Sequence, residues 1–561
     1  VNKPLQQLVQ KTRQDLSEGW RSGWSVLRRK GPSQVQFWFI ALAVGIAAGL
    51  VTVSFRHAIN FLQTTVYGVD DPRLLHSFAE TLPWYFILTF PIIGGLVVGI
   101  ILNRFTDDGR VRSVADVIEG AALHDGRVER RAGLASGLAS LITLSTGGST
   151  GREGPVVHLC GLIATWVSER INANGITGRE LLGCAVAAAV SASFNAPIAG
   201  ALFALEVVLR HFAVHAFAPI VIASVTGTII SRWNFGDVTE FSLSGNDLVF
   251  YVELPAFLLL GIVSGLVATA FMRAIFLADD VGNAVQQMLR LPRVLRPAFA
   301  GALLGGIAIF FPHIIGVGYE TTSAALTGQM VFRDVVIFAI IKAVAVSITM
   351  AGRMGGGVFS PALMMGALTG LAFGMVATSV FPDISGSETL YALAGMGAVA
   401  AAVLGAPIST TLIVFELTGD WQTGLAVMVA VSLSTALASR LVDRSFFLTQ
   451  LERAGKHVAA GPQAYLLSLY KAVVVMRAKD SPGAASIEAC QALMEQGVFL
   501  DPEATLEQAL PVFEDTGHAF IPVVAPAADG QNPTLLGALF HVDALGAYNR
   551  ALAATAAEEH A

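Results

Sequence analysis

The chain has 561 residues, 54% of them hydrophobic and only 14% charged. Soluble domains carry roughly a quarter charged residues, so this composition excludes an ordinary soluble protein and points to lipid. A net charge of −6 gives no sign of nucleic-acid binding. Cys160, Cys184 and Cys490 stand too far apart for a metal pattern or a disulfide framework and are read as reduced and structural.

Residues 1–35 form a polar, basic segment with no visible cleavable signal peptide. Residues 1–30 hold seven basic and two acidic side chains, with Arg28, Arg29 and Lys30 just before the first apolar block. The positive-inside rule places this end in the cytoplasm. Residues 36–456 read as the membrane domain. Gln36–Phe61 and Trp84–Leu102 are each long enough to cross a bilayer, which takes about 20 apolar residues. Beyond them the apolar stretches vary in length. Glycine- or proline-containing breaks cut them at 147–155, 195–197, 353–361 and 405–407. Backbone breaks at membrane depth survive only where protein or a water-filled cavity satisfies their polar groups, and transporters use them to aim half-helix ends at a substrate. Val249–Leu277 is long enough to span with a strong tilt.

An internal repeat divides this domain into halves of about 36–235 and 249–456. Ala187–Glu206 and Ala398–Glu416 both run from an alanine stretch through Ala-Pro-Ile to a glutamate nine positions after the proline. Upstream, Pro155 and Pro361 each follow a glycine-rich turn. Transporters built from such repeats place the substrate between the halves. From 457 the chain turns soluble in character, with five basic and twelve acidic groups over 456–561. Thr505–Thr516 reads as helix, Ala519–Val524 and Leu535–Leu539 as strands, and a final helix closes the chain.

The chemistry centres on Gly151-Arg152-Glu153-Gly154-Pro155. Glycines permit unusual backbone angles, and a proline at the first helical position opens a helix. Such a start presents free N–H groups and the positive end of the helix dipole, an anion site that needs no lysine. Glu153 is itself an anion and could occupy that site as a gate; the structural alternative pairs it with Arg152. Gly355–Pro361 repeats the logic in the second half. No nucleophile–base arrangement, metal cluster or phosphate loop is visible, so an enzyme is not expected.

These motifs, GREGP at 151–155, GVFSP at 357–361 and FNAPIAG at 194–200, resemble those of the CLC family of chloride channels and chloride/proton exchangers, over roughly residues 36–456. The resemblance implies an all-α polytopic fold with an inverted repeat of tilted and broken helices. It implies a homodimer with one pore per subunit, chloride as substrate and no cofactor. Glu153 would be the external gate, with Gly151, Arg152 and Gly154 beside it, and the amides of Val358 and Phe359 would bind the central anion. Three positions depart from the family pattern. The central serine falls at Arg112 in the preferred register and at Ser113 after a one-residue slip; an arginine there would place a charge near the anion, or pair with Asp116. The central tyrosine falls at Phe447, which has no hydroxyl to donate. The candidate proton path runs through Glu153, Glu206 and Val207, but Val207, at the exchanger's glutamate position, cannot titrate. Glu206 could substitute, or share a structural role with its repeat mate Glu416.

Residues 499–550 resemble a CBS module, within a cytoplasmic segment 499–561, and 457–498 reads as a linker or vestigial module. Phe540 replaces the hydroxyl residue that holds a nucleotide ribose, although Asp543 is kept, so nucleotide binding is not expected. The combined expectation is a multi-pass protein of the plasma or inner membrane with both termini cytoplasmic. It would pass chloride or a similar small anion, as a channel or weakly proton-coupled transporter. The alternatives are a chloride/proton antiporter with an unusual proton route and, more remotely, a nucleotide-sensing receptor.

Overall fold

A computed structural model describes residues 32–69, 71, 74–212, 214–236, 250–382, 385–419, 421–456, 458, 466–467, 470–525 and 534–559. The basic segment 1–31 lies outside the described residues. The chain divides into two compact units, one holding residues to Leu209 with Ala218–Gly455, the other Arg210–Phe217 with Lys456–Ala561.

The first half of the membrane unit runs α1 (Gln34–Tyr67), α2 (Leu75–Ala79), α3 (Trp84–Phe105), α4 (Val114–Leu123), α5 (Arg130–Ser145), α6 (Glu153–Ile171), α7 (Gly175–Phe194), α8 (Pro197–Phe203) with a π-turn at Ala204–Leu209, and α9 (Val214–Phe235). The second runs α10 (Phe250–Met288), α11 (Arg296–Phe310), α12 (Tyr319–Leu326), α13 (Phe332–Ala351), α14 (Phe359–Val380), α15 (Glu388–Leu404), α16 (Pro407–Thr418), α17 (Trp421–Leu441) and α18 (Phe446–Arg453). Among the described residues, eight helical stretches are long and apolar enough to cross a membrane. Helix α1 opens on Ser33, whose hydroxyl accepts from the Gln36 amide, and stops at Gly68 in the left-handed region. Its 34 residues extend beyond both ends of the span expected at Gln36–Phe61. Helix α10 has 39 residues, about 58 Å at 1.5 Å each, nearly twice the ~30 Å hydrocarbon layer. It runs past the expected end at Leu277, and beyond that point Asp279 and Asp280 pair with Arg296 and Arg453.

Close packing sets the helix spacing. Helices α3 and α11 each carry glycines four apart, Gly95 and Gly99 facing Pro297 and Val294, Gly301 and Gly305 facing Pro91 and Leu88. A Cβ at Gly99 or Gly301 would strike the opposing backbone carbonyl. Small-xxx-small faces of this kind let membrane helices approach through backbone contact where no hydrophobic drive exists between them. The repeat mates α7 and α15 are buried along most of their length. Both end on a left-handed residue, Asn195 and Gly405, before the Ala-Pro step that starts α8 and α16.

The second unit contains α19 (Ala472–Val475), β1 (Arg477–Ala478), α20 (Ile487–Glu495), α21 (Leu506–Thr516), β2 (Phe520–Ala525), β3 (Thr534–Phe540) and α22 (His541–Glu559). The sheet order is β1-β3-β2, antiparallel throughout, with Arg477 opposite Ala538 and Ile521 opposite Leu539. Ala472, Leu500, Leu506, Phe513, Ile521, Leu539 and Ala544 share its core. The segment 472–495, set apart above as linker or vestigial module, therefore folds together with 499–559. Arg477 grips Asp543 with two hydrogen bonds of 2.7 and 3.2 Å and lies over the Phe540 ring at 4.2 Å. The Asp543 carboxylate is thus engaged by a partner from its own unit.

Candidate functional site

The two glycine-rich turns meet. Gly151 N–H donates to the Gly357 carbonyl at 2.7 Å, and Gly357 N–H donates back to Gly151 at 2.9 Å. Flanking this bridge, Thr349 Oγ1 accepts from Ser149 N–H at 3.2 Å while Thr143 Oγ1 accepts from Gly355 N–H at 3.0 Å, the same contact made once from each half. Gly356, at φ 139°, must be glycine: a side chain there would collide with Thr150. The bridge brings the first turns of α6 and α14 together. Their leading N–H groups lack intrahelical acceptors and carry the positive end of each dipole.

Glu153 is the first residue of α6 and is 1% exposed. Its Oε1 accepts from Ser360 Oγ at 2.6 Å and from the Tyr319 hydroxyl at 3.3 Å. Ser360 is the second residue of α14, so the carboxylate of one half sits on the helix start of the other. Arg152 Nε lies 3.9 Å from Oε1, the outer limit of an ion pair, while its guanidinium reaches the Ser193 carbonyl at 3.4 Å and covers the Tyr319 ring at 5.0 Å. Oε2 is buried without a hydrogen-bond partner and hangs over Gly151, where a Cβ would approach it to 2.7 Å. Gly154 packs on Gly357. Ser360 and Tyr319 were not identified from sequence as contacts of Glu153. Ser360 stands inside the GVFSP motif and could have been found there; Tyr319, in an isolated short helix, gave no periodic signal.

Lys342 is a further residue that the sequence left unmarked. It is fully buried on α13, and its Nζ donates to the carbonyls of Gly316 at 3.1 Å and Ile314 at 3.3 Å. Gly316 in turn bonds the Gly148 carbonyl at 3.1 Å and accepts from Thr150 N–H at 3.4 Å. The lysine thus braces the turn that carries Glu153.

Arg112 and Ser113 stand at the start of α4, with Ser113 as the cap and its N–H donating to Asp116 at 2.7 Å. The Arg112 guanidinium turns to three carboxylates: Asp108 at 2.8 Å, Glu129 at 3.3 Å and Asp116 at 3.6 Å. Partial burial opposes both charges of the Asp108–Arg112 pair. Their hydrogen bond and mutual attraction prevail, holding the Asp108 carboxyl below the usual carboxylate range and the Arg112 guanidinium above its own. Its positive charge is compensated locally. The pairing with Asp116 weighed above is present, joined by two stronger partners. Val358 and Phe359 are buried at the start of α14, the Phe359 ring tilted against Phe194 at 4.7 Å and Phe203 at 5.6 Å. Phe447 is buried on α18, which packs against α4.

Glu206 lies in the π-turn and leaves the membrane half it belongs to. Its Oε1 accepts from Ile408 N–H at 2.9 Å, and Oε2 from Ser409 N–H at 2.8 Å and Ser409 Oγ at 2.7 Å. Glu416 does the same in reverse, accepting from Ile198 N–H at 2.9 Å and Ala199 N–H at 2.8 Å. Each glutamate caps the broken helix of the opposite half, supplying the acceptor that orphan N–H groups require. Val207 is buried beside Glu206.

Residues 94–439 match the family described as voltage gated chloride channel. The ClcB-like chloride channel protein of Ralstonia nicotianae is 31% identical over 395 residues, 70% of this chain and 91% of its own length. The structure of a slow cyanobacterial Cl−/H+ antiporter is similar with a TM-score of 0.66 at 21% identity, covering 75% of this chain and 98% of that one. A eukaryotic CLC transporter is similar at 0.65 and 16% identity, over 93% and 98%. The paired helix starts described here lie inside the matched region, and the chain belongs to the voltage-gated chloride channel, or CLC, family.

Proposed function

We propose that this protein carries chloride or a similar small anion across the membrane through a pathway that Glu153 gates. The observation behind this reading is the Glu153 carboxylate, buried on Ser360 at the start of α14 where an anion would gain the same hydroxyl and helix end. The anion path takes in Ser113 at the α4 start, Gly151, Arg152 and Gly154 at the bridge, the Val358 and Phe359 amides, and Phe447. Ser113 fits the central role better than Arg112, whose guanidinium three carboxylates already hold. Glu206 serves as a cap, and with Val207 and Phe447 apolar, passive conduction or weak coupling is favoured over tight exchange. The Ralstonia relative is named a chloride channel protein and the cyanobacterial neighbour an antiporter, so their names favour neither reading. We place both termini in the cytoplasm from the basic run Arg28, Arg29 and Lys30 just before α1, by the positive-inside rule. The protein works as a homodimer, with its second unit in a structural rather than nucleotide-binding role.

The second reading, proton-coupled exchange, rests on the bare Oε2 of Glu153, an oxygen with no hydrogen-bond partner among the described residues. Reversal potentials in proteoliposomes under separate anion and pH gradients divide the two. A reversal that follows the anion gradient alone means a channel; a shift with pH means coupling. No anion-selective current under either gradient would refute the proposal.

A further inference from the structure

A second cationic feature lies outside the gate. Between the ends of α3 and α10, the start of α11 and the turn after α13 is a small cavity lined by Asn103, Gln286, Arg293, Arg296 and Arg353. Among the described residues no carboxylate lines it. Arg296 forms the buried floor and is neutralised by Asp279 at 3.0 Å, with Asn283, Gln286 and the Ala351 carbonyl as further acceptors. The other two arginines reach only neutral acceptors among the described residues. Arg353 bonds the Asp108 carbonyl at 3.0 Å and Asn283 at 3.4 Å, and its buried Nε has no partner. Arg293, exposed at the rim, bonds the Asp107 carbonyl at 3.4 Å. The Asp108 carboxylate is held by Arg112 instead.

Two features show that this arrangement has a cost. Arg353 stands at φ 55°, a left-handed backbone that a non-glycine residue adopts only under constraint. Burial, then the neighbouring Arg296 and Arg110 guanidiniums, lowers its own guanidinium to about 10, with Asp279 and Asp108 offsetting only part of this. Crowded cations of this kind are relieved by a bound anion. The cavity itself measures about 10 Å³, room for one water, so a tetrahedral oxyanion would bind at its mouth, accepting from two guanidinium forks at once. The cavity lies at the face where α3 ends, and basic pockets between helices at a membrane face take lipid phosphates.

We propose that the mouth of this cavity binds a phosphate group, carried by an anionic lipid headgroup or free in solution. Arg293 and Arg353 supply the forks, Asn103 and Gln286 supply amide donors, and Arg296 fixes the floor. The site does not depend on the gate reading, because its readout is binding rather than flux.

The test uses the full chain in detergent at constant ionic strength. The thermal melting shift is measured against inorganic phosphate, dioctanoyl phosphatidylglycerol and dioctanoyl phosphatidylcholine. The expected result is a saturable shift with a phosphate-bearing probe beyond that of matched sodium chloride and of phosphatidylcholine. The apparent Kd should weaken about tenfold in Arg293→Gln and in Arg353→Gln, since each removes one charge-assisted contact. Arg293→Lys should recover part of it, and Arg333→Gln, at the opposite end of α13, should bind as wild type. A response to phosphatidylglycerol alone assigns the lipid source; a response to inorganic phosphate as well assigns the free anion. Equal shifts with phosphatidylcholine, no saturable shift, or unchanged affinity in the exposed Arg293→Gln variant would overturn the site.

Discussion

Replacing Glu153 with glutamine keeps the size of the side chain and removes its charge. In the closed site Oε1 takes a 2.6 Å hydrogen bond from Ser360 and a 3.3 Å one from Tyr319, with Arg152 at 3.9 Å. A hydrogen bond to a buried charged group contributes about 1.5–3 kcal/mol, and a helix start adds about 0.3–1 kcal/mol. Together they hold the carboxylate in place by roughly 2–4 kcal/mol, so the site stands vacant about once in thirty to once in several hundred molecules. Glu153→Gln and Glu153→Ala therefore raise anion flux by up to that factor and abolish its dependence on pH. Ser360→Ala weakens the hold about tenfold and gives an intermediate flux. Tyr319→Phe, losing the longer bond, gives the smallest rise. Flux is read as anion efflux from proteoliposomes of matched protein density. A Glu153→Gln variant with wild-type flux and wild-type pH response would refute the gate, and Tyr319→Phe exceeding Ser360→Ala would refute the geometry.

The reciprocal caps predict that Glu206→Ala and Glu416→Ala lower the melting temperature by similar amounts, each leaving two orphan amides at about 1–3 kcal/mol apiece before relaxation; a loss of pH response without loss of stability in Glu206→Gln would instead mark it as a proton carrier. Gly301→Val should cost about 1–3 kcal/mol or prevent folding, by forcing α3 and α11 apart, and detergent-solubilised yield with size-exclusion profile checks it. Arg112→Gln should leave anion selectivity unchanged, because three carboxylates already compensate its charge, and should lower stability by at most about 1 kcal/mol, as expected of a pair with a partly exposed partner. The sign follows from Asp108: a carboxyl held below its ordinary range contributes stability above that range and loses it as the pH falls through the folded value. Melting curves of wild type and Arg112→Gln should therefore converge in acid and separate near neutrality; separation only in acid contradicts the pairing.

Much of this protein was legible in one dimension. Long apolar blocks marked α1, α3 and α10 because a bilayer demands about 20 apolar residues in a row. Glycine before proline marked the starts of α6 and α14, since a helix broken at membrane depth must satisfy its backbone groups locally. The repeated Ala-Pro-Ile with a glutamate nine residues on revealed two matching halves, and the second unit's α21, β2, β3 and final helix were read from sequence, whereas α19, β1 and α20 were not. The expectation that Glu153 acts as a gate came from its place at a helix start. What the chain could not disclose was which atoms meet across the halves. The Gly151–Gly357 bridge, Ser360 and Tyr319 on Glu153, and the exchange of caps between Glu206 and Glu416 join positions more than a hundred residues apart. Local propensity carries no record of such partners. Arg112 shows the same limit: its type suggested charge near an anion, but only the fold brings Asp108, Glu129 and Asp116 around it. Sequence determines where a helix begins and what it can offer; the packing of the two halves decides to whom it is offered, because orphan amides and buried charges are satisfied by whatever acceptor the folded interior delivers.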